Sequence, residues 1–458
     1  MAAILIERRE LGPDRILQTQ TNKEKHKIMT NEIRTPKRSP EGTWYDFHAC
    51  YSEEFVEDVL THLRLRPSET VLDPWNGTGT TTKVAAERNF RAIGFDMNPV
   101  MVVVAKARLY AASSASSSEM AREVVNRLIE SYSQGDPLVA EDDPLNTWFT
   151  ASGVNVIRHL EGATQHQAGS DVKVPSPSVP VDVEALTPQQ SLLYVAIFQT
   201  VRSFLTRFQG SNPTWIKAPK SDSQKVSPSA TEINLEFSKN LERLLSLLNQ
   251  PARTTTTEIP ASVRLGVANS RSLPVPSNSV DAVICSPPYC TRIDYVVATK
   301  PELAMLRIGD KKSIRRLRNN MLGTPTISKI PPQQTIKWGP TAGFFLKQVA
   351  AHSSKASASY YLKGFLQYFD GVCDSLEELN RVVRPGAQLA FVVQDSYYKN
   401  IHLDLPQVYR DMAQILGWGL ADQFNYPVTR SIAQVNKGTK LYRGKTPAIE
   451  SALVFRKA

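Results

Sequence analysis

The chain has 458 residues, 41% hydrophobic and 21% charged, which suits a globular protein too long for one compact core. No apolar run reaches the ~18–20 residues that a membrane span needs. The short apolar start, Ala2 to Ile6, meets Glu7, Arg8, Arg9 and Glu10 at once, unlike a secretory leader, and Cys50, Cys285, Cys290 and Cys373 form no C-x-x-C pair.

These features predict a cytoplasmic protein without a membrane anchor, zinc site or disulfide framework. The formal net charge of +10 favours a polyanionic partner. Much of the excess lies in one segment, where ten Lys/Arg between Lys300 and Lys347 face only Glu302 and Asp310.

Residues 1–43 are polar, basic and weakly periodic, and read as an N-terminal arm. Phe55, Val56, Val59, Leu60 and Leu63 recur at helical spacing and predict a helix over 55–63. Thr70-Val71-Leu72 reads as a buried strand ending at Asp73, Thr80 to Arg88 as a helix, and Arg91 to Phe95 as a second strand ending at Asp96. This is a strand, glycine-rich turn, helix, strand unit, the opening of a doubly wound fold. Residues 110–118 are rich in Ala and Ser, and 165–190 and 218–231 in Ser, Pro and Gln. Helices are predicted among them at 119–132, 190–208 and 233–248. Strands are predicted at 263–267 and 280–285. A long helix over 360–383 should stop at Arg384-Pro385-Gly386; a strand at 388–393, a helix at 407–416 and a last strand at 452–455 follow.

The expected fold class is α/β, a doubly wound, mostly parallel sheet with a mostly helical insertion. Four regions result. Residues 1–43 form the arm. Residues 44–109 carry the glycine-rich turn. Residues 110–260 form the helical insertion, suited to target recognition. Residues 261–458 hold the rest of the α/β domain, with a basic insertion at 296–360.

The first chemical signal is Asp73-Pro74-Trp75-Asn76-Gly77-Thr78-Gly79-Thr80. Gly77 and Gly79 permit a sharp turn and close approach to a ligand. The helix start at Thr80 offers free N–H groups to a carboxylate. Asp73 can accept from an ammonium group, and Asp96, nineteen positions after Gly77, suits the hydroxyls of a ribose. An amino-acid tail joined to a nucleoside fits all three, as in S-adenosylmethionine. The turn lacks the third glycine of a dinucleotide site and the Gly-Lys-Ser/Thr of a P-loop.

The second signal is Ser286-Pro287-Pro288-Tyr289, closing the strand that starts at Val280. Prolines stiffen this loop and remove N–H donors, leaving acceptors. An amino group on an extruded base needs acceptors, because its lone pair is delocalised into the ring. Ser286 Oγ and the Pro287 carbonyl could supply them, and Tyr289 a stacking face.

Together the two motifs resemble the S-adenosylmethionine-dependent DNA amino-methyltransferases, the N4-cytosine and N6-adenine enzymes. Their first motif is roughly D-P-F-x-G-x-G-T, matched at 73–80 with Trp75 for the usual Phe. Their catalytic motif, (D/N/S)-P-P-(Y/F/W), is matched at 286–289, and serine in first place is typical of the N4-cytosine members. The resemblance implies a Rossmann-like methyltransferase fold and Ser286, Pro287, Pro288 and Tyr289 as the catalytic set. It implies S-adenosylmethionine as cofactor, with Phe47, Asp73, Gly77, Gly79, Thr80, Asp96 and Asn269 as contacts. Phe47 lies in the aromatic segment 44–48, and Asn269 stands where the family usually has Asp near the adenine. The substrate implied is double-stranded DNA, cytosine N4 favoured over adenine N6, with no metal required; a cognate restriction endonuclease is the protein partner such enzymes often have. An RNA base amino-methyltransferase is the other reading.

Arg292 could meet a phosphate or fill the gap left by an extruded base, and Asp294 could pair with it. Lys311, Lys312, Arg315, Arg316 and Arg318 form the densest basic run; on a helix they would not all share a face, so some are expected to meet phosphates, with Lys311, Lys312, Arg315 and Arg316 as the candidates, and some only solvent. Trp148 and Trp215 are expected to pack in the core of the insertion.

Overall fold

The computed structural model describes residues 33, 44–45, 51–110, 123, 141–166, 179–210, 215–248, 262–290, 294–428 and 448–458. The predicted helix over 119–132 therefore falls outside the described residues except Glu123, as do Phe47, Arg292 and nearly all of 1–43.

Helix α1 (Glu53–Leu63) begins two residues before the apolar period, because the Ser52 side chain accepts the Phe55 N–H at 3.1 Å. Strand β1 (Thr70–Asp73), helix α2 (Thr80–Glu87) and strand β2 (Arg91–Asp96) follow as read. Helix α3 (Pro99–Ala107) escaped the sequence reading. Its Val100–Val104 run is buried on every side, so it shows no amphipathic period.

Among the described residues the next long helices are α4 (Ala151–His166), α5 (Pro188–Phe204) and α6 (Ala230–Leu248). Thr187 and Gln190 form a reciprocal capping box that starts α5. These helices share one apolar core with α3, through side chains such as Val103, Trp148, Tyr194, Phe198 and Phe237. Trp148 is buried as expected; Trp215 is not, at 41% exposed. It lies in the segment between α5 and α6, where its carbonyl accepts from the Gly210 N–H at 3.0 Å.

Strands β3 (Val263–Val267) and β4 (Val280–Cys285) return the chain to the sheet. The basic insertion holds α7 (Tyr295–Ala298), α8 (Lys300–Met305), α9 (Lys311–Asn320) and α10 (Gly339–Ala351). Helix α11 (Leu362–Val382) passes directly into β5 (Val383–Gln394), so Arg384 to Gly386 belong to a strand rather than a turn. Gly386 meets the change of direction with φ +79°. A short hairpin of β6 (Ser396–Tyr398) and β7 (Ile401–Leu403) leads to α12 (Leu405–Ile415), β8 (Trp418–Val428) and β9 (Ala448–Lys457).

Among the described residues the main sheet has seven strands in the order β3-β2-β1-β4-β5-β9-β8. The first five are parallel neighbours, and β9 runs antiparallel between β5 and β8. Side chains alternate between the two faces, as a pleated strand requires. Leu72, Val283, Cys285 and Phe391 pack on one side with α10, α11 and α12. Val71, Ala282, Ile284 and Ala390 pack on the other with α1 and α2. This is the doubly wound, mostly parallel α/β sheet that the sequence led one to expect.

A buried ion cluster ties the helical insertion to the segment after β4. Arg158 grips Asp143 through two hydrogen bonds, of 2.8 and 3.0 Å, and reaches Glu161 at 2.9 Å. Arg307, just past α8, grips the same Glu161 at 2.7 and 2.8 Å, and the Tyr194 hydroxyl donates to it at 2.7 Å. Two cations and two carboxylates balance, which such a dry site demands. Among the described residues no helix is long and apolar enough to cross a membrane.

Candidate active site

The strand order reverses between β1 and β4, which lie side by side in register at Val71/Ala282 and Leu72/Val283. Loops leaving the carboxyl ends of such strands diverge and open a crevice. Here those loops are the two sequence motifs. Between them lies an open cavity, lined by Gly77, Asp96 and Asn269 on one wall and by Ser286, Pro287, Pro288 and Tyr289 on the other. Trp75, Met101, Tyr295, Asn320, Met321 and Leu322 also line it.

On the first wall Gly77, at φ +48°, donates its N–H to Asp96 Oδ2 at 3.0 Å. The Asn98 N–H donates to the other oxygen at 2.8 Å. Withdrawal from water pushes Asp96 up to about 6, and these two N–H groups oppose it. Asn269 Oδ1 accepts from the Arg271 N–H at 3.1 Å.

Three expected contacts sit behind this wall instead. Asp73 accepts from the Trp75 N–H at 3.0 Å, the Thr81 hydroxyl at 2.7 Å and the Tyr51 hydroxyl at 3.0 Å. A carboxylate only 2% exposed must have its lone pairs met. Those donors take the place of the expected ammonium group, and burial still pushes Asp73 up to about 7. Gly79, at φ +83°, serves packing, since a Cβ there would lie 2.7 Å from the Ala105 Cβ. Thr80 Oγ1 accepts from Arg108 at 3.1 Å, and Arg108 also pairs with Glu53 at 2.5 Å, which holds α1 against the turn.

The second wall is clamped along its length. The Ser286 hydroxyl donates to the Val392 carbonyl of β5 at 3.2 Å. The Pro288 carbonyl accepts from Tyr368 at 3.1 Å. The Tyr289 hydroxyl donates to Glu450 of β9 at 2.6 Å. With its proton so directed, Ser286 keeps oxygen lone pairs for an incoming N–H donor. Gly323, at φ +72°, lies so close that a Cβ would stand 2.8 Å from the Tyr289 carbonyl. Burial pushes the Cys285 thiol well above its ordinary range, so it stays un-ionised.

Lys311, Lys312, Arg315 and Arg316 are all exposed on α9. At ~100° per residue these four span an arc of about 140° and share a face, while Arg318, the fifth member of the run, turns to Asp294 and does not join them. Ile314, Leu317 and Met321 occupy the opposite side and pack on the core of the insertion. Asp294, only 3% exposed, is paired with Arg318, Nε at 2.9 Å and Nη2 at 2.7 Å; Arg292 lies outside the described residues.

Sequence reasoning missed Tyr51, Asn320, Met321, Leu322 and Glu450. Each is far from its site partners along the chain and belongs to no local motif. Tyr295 was the exception in signal, an aromatic residue six positions beyond the proline-rich turn.

A family model described as DNA methylase matches residues 7–107. The Type II methyltransferase M.AvaI of Nostoc sp. (strain PCC 7120 / SAG 25.82 / UTEX 2576) is 22% identical over 457 residues, covering 94% of this chain and 90% of that protein. The Type II methyltransferase M.BsoBI of Geobacillus stearothermophilus is 23% identical over 394 residues, covering 78% of this chain and 74% of that protein. A solved geranyl diphosphate methyltransferase, in complex with GPP and sinefungin, is 8% identical with a TM-score of 0.31, covering 88% of this chain and 78% of the other.

Proposed function

We propose that this S-adenosylmethionine-dependent DNA amino-methyltransferase delivers the methyl group to cytosine N4 of a base turned out of double-stranded DNA. The observation that carries this reading is the shared cavity, with Gly77 and Asp96 facing Ser286 to Tyr289 across it.

The lining chemistry fits the cofactor. Asp96, held by two backbone N–H groups, would accept from ribose hydroxyls, and Asn269 with Met101 would border the adenine. When bound, S-adenosylmethionine supplies a methyl group made electrophilic by a positively charged sulfur. Ser286 Oγ and the Pro287 carbonyl would accept from the two amino hydrogens of the base. Those bonds favour a pyramidal nitrogen and expose its lone pair. Tyr289 and Tyr295 would give the base flat faces. Holding donor and acceptor in line is the larger effect, and such placement can contribute up to ~7–11 kcal/mol.

The four cations of α9 would grip phosphates, and the helical insertion, locked to Arg307 by its ion cluster, would stand beside the bound duplex as the reader of sequence. Cytosine is preferred because Ser286 occupies the first place of the catalytic motif. On the likeness to Type II enzymes, a restriction endonuclease of the same specificity is the expected companion.

The test is to incubate unmethylated plasmid DNA with the protein and S-adenosylmethionine and analyse the nucleosides by mass spectrometry. N4-methylcytosine supports the reading; N6-methyladenine moves the target base; 5-methylcytosine, or no methylated nucleoside, overturns it.

A further inference from the structure

We infer that Arg318 is a positioning residue that couples the grip on DNA to the cofactor cavity, so that DNA bound on α9 tightens cofactor binding. The inference rests on the reading of the chain as a DNA methyltransferase and extends it to how the two ligands cooperate.

Helix α9, whose apolar side rests on the core of the insertion, has three further features that face DNA or the cavity. Its outer face carries Lys311, Lys312, Arg315 and Arg316, all exposed. Its last turn carries Arg318, whose fork holds Asp294 at 2.7 and 2.9 Å. Asp294 is nearly inaccessible to water and caps α7 by accepting the Val297 N–H at 3.1 Å. Tyr295, the next residue, lines the cavity. The carboxyl end of α9 then runs straight into the cavity wall, at Asn320, Met321 and Leu322. One residue further, Gly323 abuts the Tyr289 carbonyl.

The outer face also carries strain that DNA would relieve. Lys311 with Arg315, and Lys312 with Arg316, are like-charged pairs one helical turn apart, which weaken an isolated helix. Phosphates against this face would neutralise them and firm the helix. A firmer helix fixes both the cavity wall and, through Arg318 and Asp294, the start of α7. Each ligand would then favour the arrangement that the other needs, and the coupling is reciprocal.

The experiment uses the full chain and S-adenosylhomocysteine, which binds without reacting. Its affinity is measured by calorimetry with and without a short linear duplex, whose sequence is arbitrary because phosphate contacts are not sequence-specific. The unaltered protein should bind it about fivefold or more tightly with the duplex present. Arg318→Met should abolish that tightening while duplex affinity, read by fluorescence anisotropy, changes by no more than about twofold. Arg318→Lys should restore part of it. Should Arg318→Met fail to fold, Asp294→Asn removes the charge yet keeps a capping oxygen, and should lose the tightening too. The inference is overturned if the unaltered protein shows no tightening, or if Arg318→Met retains it. It is equally overturned if Arg318→Met weakens duplex binding as much as neutralising the four outer cations does. Tritium transfer from labelled cofactor to plasmid DNA, measured in parallel, tests the activity itself, so the two failures are distinguishable.

Discussion

The phenolic oxygen of Tyr289 lies 2.6 Å from a carboxylate oxygen of Glu450, 161 positions further along the chain. The bond ties the end of the proline-stiffened loop to β9, the antiparallel strand beside β5. Ser286 is tied to β5 itself, through Val392. The loop therefore hangs from two adjacent strands, and its aromatic face has a fixed direction. Tyr289→Phe keeps the ring and removes this anchor, while Glu450, 3% exposed, loses that donor. The cost should be about 1–3 kcal/mol of stability, seen as a fall in Tm by scanning calorimetry. Single-turnover methylation should slow by about tenfold. Glu450→Gln keeps an acceptor and should stay near the parent rate.

Ser286 should affect chemistry rather than cofactor affinity, because its hydroxyl addresses Val392 and the cavity, not the Gly77 wall. Ser286→Ala should lower turnover by about 100-fold or more, comparable to losing a preorganised hydrogen-bonding group elsewhere. Cofactor affinity by calorimetry should be unchanged. Equal turnover would remove Ser286 from the mechanism.

Asp96 on the first wall and Asp73 behind it give a pH signature. Asp96 is raised to about 6, and a ribose hydroxyl needs its ionised form as acceptor. Affinity for S-adenosylhomocysteine should therefore fall as pH drops through 6, and be about tenfold weaker at pH 5 than at pH 7. Asp96→Asn should flatten that dependence. Stability of the ligand-free protein runs the other way. The folded chain holds protons on Asp73 and Asp96 that the unfolded chain has already released, so their contribution is full below pH 4. It is lost as pH rises through 6 and 7. Asp73→Asn should reduce the loss of Tm between pH 5 and pH 8.

Neutralising Lys311, Lys312, Arg315 and Arg316 to Gln should weaken DNA binding and flatten its salt dependence. If each meets one phosphate, the slope of log affinity against log salt should fall by about 3–4. Titration by fluorescence anisotropy at several salt concentrations measures it; an unchanged slope places the DNA path elsewhere.

The central strands were legible because each is a short apolar run ended by a charged or proline-rich turn, as at Leu72-Asp73 and Cys285-Ser286. The pairing of the two motifs was legible for the same reason, since each closes a strand. Helix α3 was not, because burial on every side erases the helical period. The long antiparallel strand β8 was missed because Gly419, Asp422, Gln423 and Asn425 give it little apolar content. Within the site, the role of Asp73 could not be read from its motif. Its partners Tyr51 and Thr81 come from elements that meet only in the folded chain. The shared face of α9 was legible in principle, since positions 311, 312, 315 and 316 follow the one-and-four spacing of a single helical stripe.

The most direct test of the account is a crystal structure of the protein with S-adenosylhomocysteine. The account requires the ligand between Gly77 and Ser286, its ribose hydroxyls on Asp96 and its sulfur toward the Ser286–Tyr289 loop. A ligand bound elsewhere, with that cavity left vacant, would contradict it.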